Sequence, residues 1–340
     1  MMQKPRVLVT GAPGWLGSSL VEALTNGFRS GPVDQKPESV RIVALPGSDT
    51  RTLTRTGLVE VVSADLTERR LPDGVCDGID TVFHCAGIIH AKRIADLYRT
   101  NVDATRTLLD TATAAGVRRF VFVSSNSPAG LNTSPTHLMQ EDDPPRPYLN
   151  YGLSKLQSEW LVNDAHRAGR VEGVILRPCW FYGPNQPLRQ TTFFKMIKGG
   201  HPPIVGKGDN LRSMSYVDNT VQGLLLARDV AKAAGQTYWI TDRRPYSFIE
   251  ILQTVGKLLG VTIHPRYLPG VVGDVARLAD SLVQMTGLYN QEVHVLGELG
   301  ESIAVSIEKA RKELGYDPEI DLEEGMRRSI AWCRAMGVDI

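Results

Sequence analysis

Hydrophobic positions in the first 180 residues fall mostly in short unbroken runs, not in strict alternation with polar ones. The runs are "RVLVT" (6–10), "VRIVAL" (40–45), "VEVVSAD" (59–65), "DTVFHCAG" (80–87), "RFVFVSS" (119–125) and "EGVILRP" (172–178). Unbroken apolar runs of this length predict strands covered on both faces, as in a parallel sheet. Between them lie stretches of helical period. "SSLVEALTNG" ends at Gly27, 96–116 ends in glycine, and 150–169 follows the fifth strand. Residues 28–39, polar with two prolines, predict a surface loop. Strand–helix alternation of this kind predicts an α/β domain with helices on both faces of a doubly wound sheet. After Pro178 the pattern changes to clustered Pro and Gly with short helices. It returns to the sheet at "YVDNTVQGLLLARDVAKAAG" and "QTYWIT". The expected division is 1–176 with 215–242 in the sheet domain, and 177–214 with 243–340 in a smaller lobe.

Composition changes this picture little. Of 340 residues, 42% are hydrophobic and 22% charged, the mix of a soluble globular chain long enough to bury a large core. A net charge of +1 gives no basic field for nucleic acid. Cys76, Cys85, Cys179 and Cys333 have neither zinc-site nor disulfide-framework spacing, so they are expected as reduced thiols in a cytoplasmic protein. The start "MMQKP" runs straight into a strand, which suits no signal peptide. The most apolar later segment, "YLPGVVGDVARLADSLVQM", is broken by Asp274, Arg277 and Asp280, so no membrane span is expected. His84 and His90 have no ligand partner nearby in sequence, and no metal is expected.

The chemistry begins at "VLVTGAPGWLGSSL". Gly11, Gly14 and Gly17 lie between the first strand and the first helix. Glycine there allows positive φ and close backbone approach, and the helix start offers N–H groups and the positive dipole end to a pyrophosphate. In this strand–loop–helix setting the triplet points to a dinucleotide, and the sheet domain is expected to be of Rossmann type with the smaller C-terminal lobe binding substrate. The second strand ends in "VALPGSDTR", with neither a clean carboxylate for a ribose 2′-hydroxyl nor a clean arginine for a 2′-phosphate. The cofactor is therefore read as NAD or NADP, with NAD preferred.

Tyr151 and Lys155, at i and i+4, share one face of the helix after the fifth strand. A free phenol has a pKa of about 10. A cation ~4 Å away favours the phenolate by ~4 kcal/mol at an effective dielectric of ~20. That is enough to bring a tyrosine toward acid–base work near neutral pH.

With these motifs in order, the chain resembles the extended short-chain dehydrogenase/reductase superfamily, of the NAD-dependent epimerase/dehydratase type. "TGAPGWLG" resembles its cofactor loop and "YGLSK" its Tyr-x-x-x-Lys. "DL" at 65–66 resembles the adenine-contact pair, "HCAG" the segment under the ribose and "NVDAT" the central helix motif. "FVFVSSN" resembles the catalytic-serine strand, "LRPCWFYGP" the turn beside the nicotinamide, and "YVDN" a later helix start. "EKARKELGYDPEIDLEEGMRRSIAWCR" is similar to the C-terminal tail of the group.

The resemblance implies Ser125, Tyr151 and Lys155 as catalytic residues, with Ser124 the nearest competitor to Ser125. Cofactor contacts are implied at Gly11, Pro13, Gly14, Trp15, Leu16, Gly17, Asp65, Leu66, Cys85, Ala86, Gly87, Asn101, Tyr151, Lys155 and Pro178. Substrate contacts are implied at Ser127, Trp180 and Arg212, and the two helices at 96–116 and 150–169 suggest a homodimer. Dehydratases of this group place Asp and Glu after the catalytic hydroxyl residue; Asn126 and Ser127 stand there instead. Epimerases usually have asparagine where this chain has Trp180, whereas Arg212 matches a diphosphate-contact position. "SSNSPAGLN", "LRPCWFYGP" and the apolar helix around 270–285 resemble the 3β-hydroxysteroid dehydrogenase-like branch. The first reading is an NAD(P)-dependent oxidoreductase interconverting a small-molecule secondary alcohol and a ketone. A nucleotide-sugar epimerase with tightly held NAD is the alternative, and a non-catalytic dinucleotide-binding regulator the third.

Overall fold

The computed structural model describes residues 4–28 and 36–340, so residues 29–35 of the expected loop lie outside the described residues. The apolar runs form β1 (Arg6–Thr10), β2 (Ser39–Ala44), β3 (Val59–Ser63), β4 (Thr81–His84), β5 (Arg119–Val123) and β6 (Glu172–Arg177). Further strands are β7 (Trp180–Tyr182), β8 (Pro203–Val205), β9 (Leu211–Arg212), β10 (Met214–Tyr216) and β11 (Thr237–Trp239). Seven of them pair in the order β11-β6-β5-β4-β1-β2-β3, every neighbouring pair parallel. The strand order reverses between β1 and β4. In such sheets the crevice at the carboxyl ends of the reversing strands is the ligand position. Register places Thr10 beside both Val43 and His84, so the first loop leaves the sheet there.

Helices cover both faces. They include α1 (Trp15–Asn26), α2 (Ile94–Tyr98), α3 (Ala104–Ala114), α4 (Leu149–Arg167), α5 (Leu188–Lys198) and α6 (Val217–Asp229). The helix expected over 96–116 is broken by a π-helical turn, Arg99–Asp103, between α2 and α3. One core, with Val9, Leu20, Val121 and Leu224, lies on one side of the sheet, and another, with Leu8, Leu108, Phe122 and Val162, on the other.

The smaller lobe adds α7 (Phe248–Leu259), α8 (Val271–Met285), α9 (Gln291–Glu298), α10 (Glu308–Leu314) and α11 (Leu322–Ala335). Its own core includes Phe194, Met214, Tyr246, Ile251 and Met326. Ile303, Val305, Ile307, Ala310 and Leu314 instead join the sheet's core, so the segment from 303 to 314 straps the lobe to the sheet.

The apolar helix expected around 270–285 is α8, but its polarity is the reverse of a helix that packs by its apolar face. Asp280 and Gln284 are buried, while Val271, Val275, Leu278, Leu282 and Met285 are exposed.

Candidate active site

The glycine triplet makes a cradle too tight for side chains. Gly11 has φ +82°, and a Cβ on it would lie 2.7 Å from the Ala86 nitrogen. A Cβ on Gly14 would lie 2.5 Å from the Gly11 oxygen, and one on Gly17 2.6 Å from the same oxygen. Gly14 is the N-cap of α1 and brings no side-chain cap, so the first amides of the helix remain for a ligand. This is the donor set and close approach a pyrophosphate needs, and the cradle fits a dinucleotide. Pro13 and Gly14 are exposed, and Leu16 is half-buried. Trp15 reaches across to the smaller lobe, donating Nε1–H to the Pro184 carbonyl at 2.6 Å.

Beneath the cradle, the His84 ring is fully buried between two hydroxyls, Thr10 Oγ1 on Nδ1 at 2.7 Å and Thr105 Oγ1 on Nε2 at 2.9 Å. Thr105 donates its own proton to the Asn101 carbonyl, and Thr10 receives the Ala86 amide. This bonding fixes the tautomer with the proton on Nε2. Burial, with help from Lys155, pushes the ring down to about 3, so it stays neutral and serves as a strut, not a ligand. Among the described residues there is no cluster able to hold a metal. Cys85, next along, is pushed up to about 12 by burial and stays a thiol.

Asn101 sits in the π turn. Its amide bonds both backbone groups of Ile88 and donates to Ser154 Oγ at 3.0 Å. This holds the 86–88 backbone against α4, with Gly87 lying between Asn101 and Lys155. Asp65 accepts from the Thr67 amide and hydroxyl, both at 2.8 Å, at the rim of a cleft of about 370 Å³. The Leu66 side chain packs into the sheet's core, so only its backbone is left for an adenine.

Tyr151 lies in the first turn of α4, and Lys155 one turn on. The Ser125 hydroxyl is within hydrogen-bonding reach of the phenol. Ser124 is spent elsewhere: its Oγ donates to Glu159 at 2.6 Å, in a buried pair with Arg177. Of the two serines, Ser125 is the one whose hydroxyl is not bonded to a carboxylate among the described residues. Lys155 donates one N–H to the Val123 carbonyl at 2.8 Å, and its ammonium lies 4.2 Å from the centre of the Phe122 ring. Burial pushes it down to about 8, against Glu159 and Cys85, which act the other way.

The expected lowering of the phenol by Lys155 is not what the protein's own groups produce. Burial pushes Tyr151 up to about 12; the Ser125 hydroxyl works against this and Glu298 works with it. Desolvation of the phenolate outweighs the charge–charge gain that the i, i+4 spacing suggested.

Of the other expected contacts, Ser127 and Pro178 are buried, and Ser127 gives its amide to Ser125 Oγ at 3.0 Å. Trp180 stacks edge-on against Phe193, with centroids 5.3 Å apart. Arg212 is buried and bonded to the Glu298 carbonyl; its Nε has no partner among the described residues.

Sequence reasoning missed how α8 and α9 close over the start of α4. Leu149 has φ +51°, and the helix lacks a side-chain N-cap. Gln284 supplies one from α8: its Oε1 accepts the Asn150 amide at 3.2 Å and Asn150 Nδ2 at 2.8 Å. Gln284 in turn donates to Asp280 at 2.9 Å, and His294 Nδ1 bonds the other oxygen of Asp280 at 2.7 Å. The His294 ring lies 4.6 Å from Tyr148 and 5.5 Å from Tyr289, and Tyr289 shares an apolar cluster with Tyr151 and Leu97. Gln284 and Asn150 are 134 residues apart, and no local spacing marks the pair. Gln284→Met keeps the volume and strands the Asn150 donors and one oxygen of Asp280. We expect a loss of about 2 kcal/mol in urea unfolding, with the slope of the transition unchanged.

Comparison with known proteins gives the family. The NAD dependent epimerase/dehydratase family model matches residues 7–240, and the chain belongs to that family. It is an enzyme of the extended short-chain dehydrogenase/reductase type. "Uncharacterized protein y4nL" of Sinorhizobium fredii is 43% identical over 98% of this chain and 96% of its own length. The "3 beta-hydroxysteroid dehydrogenase/Delta 5-->4-isomerase" of Mycobacterium tuberculosis is 29% identical over 96% of this chain and 90% of its own. A solved structure, "MoeE5 in complex with UDP-glucuronic acid and NAD", superposes with a TM-score of 0.74 at 27% identity, covering 97% of this chain and 99% of that one.

Proposed function

We propose that the protein binds NAD and interconverts a bulky apolar secondary alcohol with its ketone. The observation that carries this reading is the Ser125–Tyr151 hydroxyl pair one helix turn from a Lys155 ammonium pinned to β5, beside a glycine cradle with uncapped amides. Bound NAD supplies the hydride acceptor or donor. Residues Gly11 to Gly17 would hold its pyrophosphate, and Asp65 and Leu66 would border the adenine. Cys85 to Gly87 and Asn101 would lie along its ribose, and Pro178 beside the nicotinamide. Ser125 would hold the substrate oxygen and Tyr151 would move its proton. An ammonium has three donors, and Lys155 keeps two beyond Val123 for ribose hydroxyls. NAD is favoured over NADP because Arg51, the first cation after β2 in sequence, is held by Asp49 at 2.6 Å. Residues 177–214 and 243–340 would form the substrate lobe, with Ser127 and Trp180 at its contact with substrate. The similarity to 3 beta-hydroxysteroid dehydrogenases, together with Trp180 and Phe193, supports an apolar substrate over a sugar.

A nucleotide-sugar epimerase is the second reading, supported by buried Arg212 with its orphaned Nε and by the likeness to MoeE5. One assay separates the two. Purified protein is given NAD with a 3β-hydroxysteroid, and separately with UDP-glucuronic acid. Reduced-nicotinamide absorbance should rise with the steroid only. Sugar epimerisation without net absorbance change would overturn the first reading.

A further inference from the structure

Beyond this chemistry, the surface of the α8–α9 hairpin asks for a partner. Val271, Val275, Leu278, Leu282 and Met285 recur every three or four residues, which sets them on one face of α8. All five are between 55% and 83% exposed. Leu288, Val295 and Leu296 extend the patch across the turn into α9, and Tyr267, 58% exposed, precedes it. Inside the same helix Asp280 and Gln284 are buried and hydrogen-bonded, so α8 is fixed with its apolar face outward and cannot roll to hide it. Scattered apolar residues on a surface are ordinary; a contiguous stripe of this length marks an interaction site.

The charges around the stripe identify the partner. Arg266 is exposed at its start, in β12 (Arg266–Leu268) beside Tyr267. At the far end the hairpin is tied to residues 92–94: the Tyr289 amide bonds the Lys92 carbonyl, the Ile94 amide bonds the Gly287 carbonyl, and Arg93 bridges to Leu288. Lys92 and Arg93 are exposed there. Among the described residues none of these three cations is in an ion pair. Asp274, the acid on α8 nearest the stripe, is taken up by Arg277. An apolar stripe with cations at both ends and a tyrosine at its margin is the pattern of a helix lying in a lipid–water interface. A second copy suits it poorly. A two-fold contact through α8 would set cations on cations whether the helices ran parallel or antiparallel, and like charges across an interface are costly.

We propose that the outer face of α8 and α9 docks on an anionic lipid surface, in the plane of the interface and without crossing it. Among the described residues no helix is long and apolar enough to cross a membrane, which is consistent with a helix that lies flat. The inference stands on this surface and its flanking cations and not on the hydride-transfer reading, and its test uses no substrate.

Full-length protein is floated with vesicles of phosphatidylcholine containing phosphatidylglycerol, and with vesicles of phosphatidylcholine alone. The parent should float with the anionic vesicles and less with the neutral ones. Leu278→Glu with Leu282→Glu should cut the bound fraction at least about 10-fold, since charge is costly where the apolar face sits. Lys92→Glu with Arg93→Glu should cut binding to anionic vesicles by about five-fold or more per charge and leave the neutral vesicles unaffected. All four side chains are exposed, so unfolding midpoints should match the parent's. A parent that floats with neither vesicle overturns the proposal, as do leucine variants that bind like the parent. Light scattering after size exclusion is the second measurement: a dimer that the leucine variants split would overturn it too, by assigning the face to a second copy.

Discussion

Tyr151→Phe should lower turnover by about 10³-fold or more while NAD still binds. The magnitude is that of a lost general acid–base group whose removal leaves no second proton carrier on the substrate oxygen. Ser125 is a poor substitute, because an alkyl hydroxyl is a far weaker acid than a phenol and no hydrogen bond among the described residues joins its Oγ to a carboxylate or imidazole. The change removes one buried oxygen, and the ring's contacts with Leu97 and Tyr289 remain, so the fold should persist. The parent's pH profile should bear the mark of the raised phenol. With Tyr151 pushed up to about 12, the phenolate fraction grows about tenfold with each unit of pH as long as the pH stays below that value. Alcohol oxidation, which needs the phenolate, should therefore accelerate with alkaline pH, whereas ketone reduction, which needs the phenol, should be flat through neutrality. The variant should show neither limb. Steady-state rates in both directions across pH, with NAD binding followed by protein fluorescence, check this. A variant that retains the alkaline rise would assign the proton to another group.

The sheet is legible in the chain because buried parallel strands read as unbroken apolar runs, and six runs are six strands in order. The cradle is legible for a related reason: a strand, three glycines and a helix leave little else for the loop to do. What cannot be read depends on partners far away in sequence. Ser124 and Ser125 look alike in the chain; Glu159, on α4, separates them by binding one. Spacing misjudges the phenol's pKa because it counts the cation and omits the desolvation of a buried site. For α8, the sequence shows the helical period but not which face turns inward. Apolar residues normally mark the inner face, yet here Asp280 and Gln284 are the buried ones, held by His294 and Asn150 from other elements. The π turn at 99–103 is invisible for a similar reason, since Asn101 answers to Ile88 and Ser154, neither of them its helical neighbour.

Gly11→Ala should be the most damaging methyl addition within the glycine cradle, and two companion variants separate its causes. Gly260, at the C-terminus of α7, has φ +75° with nothing within 4 Å of an added methyl, so Gly260→Ala meets backbone strain alone. It should cost about 1 kcal/mol, the penalty for an L-residue in the left-handed region. Gly17→Ala has no strain to meet, but its Cβ would lie 2.6 Å from the Gly11 carbonyl, with both atoms fixed by backbone. Overfilling a rigid site costs about 1–3 kcal/mol. Gly11→Ala combines φ +82° with a contact at 2.7 Å to the Ala86 nitrogen, so about 2–5 kcal/mol is expected. Stability from urea unfolding should rank the three in that order. NAD affinity should separate them further. Moving the Gly11 or Gly17 backbone opens the cradle and draws the first amides of α1 off their common target, so both variants should bind NAD at least about 10-fold more weakly. Gly260→Ala should bind it like the parent. If Gly11→Ala and Gly17→Ala kept the parent's NAD affinity despite their lost stability, the cradle would be a packing device alone, and the dinucleotide would have to be held elsewhere.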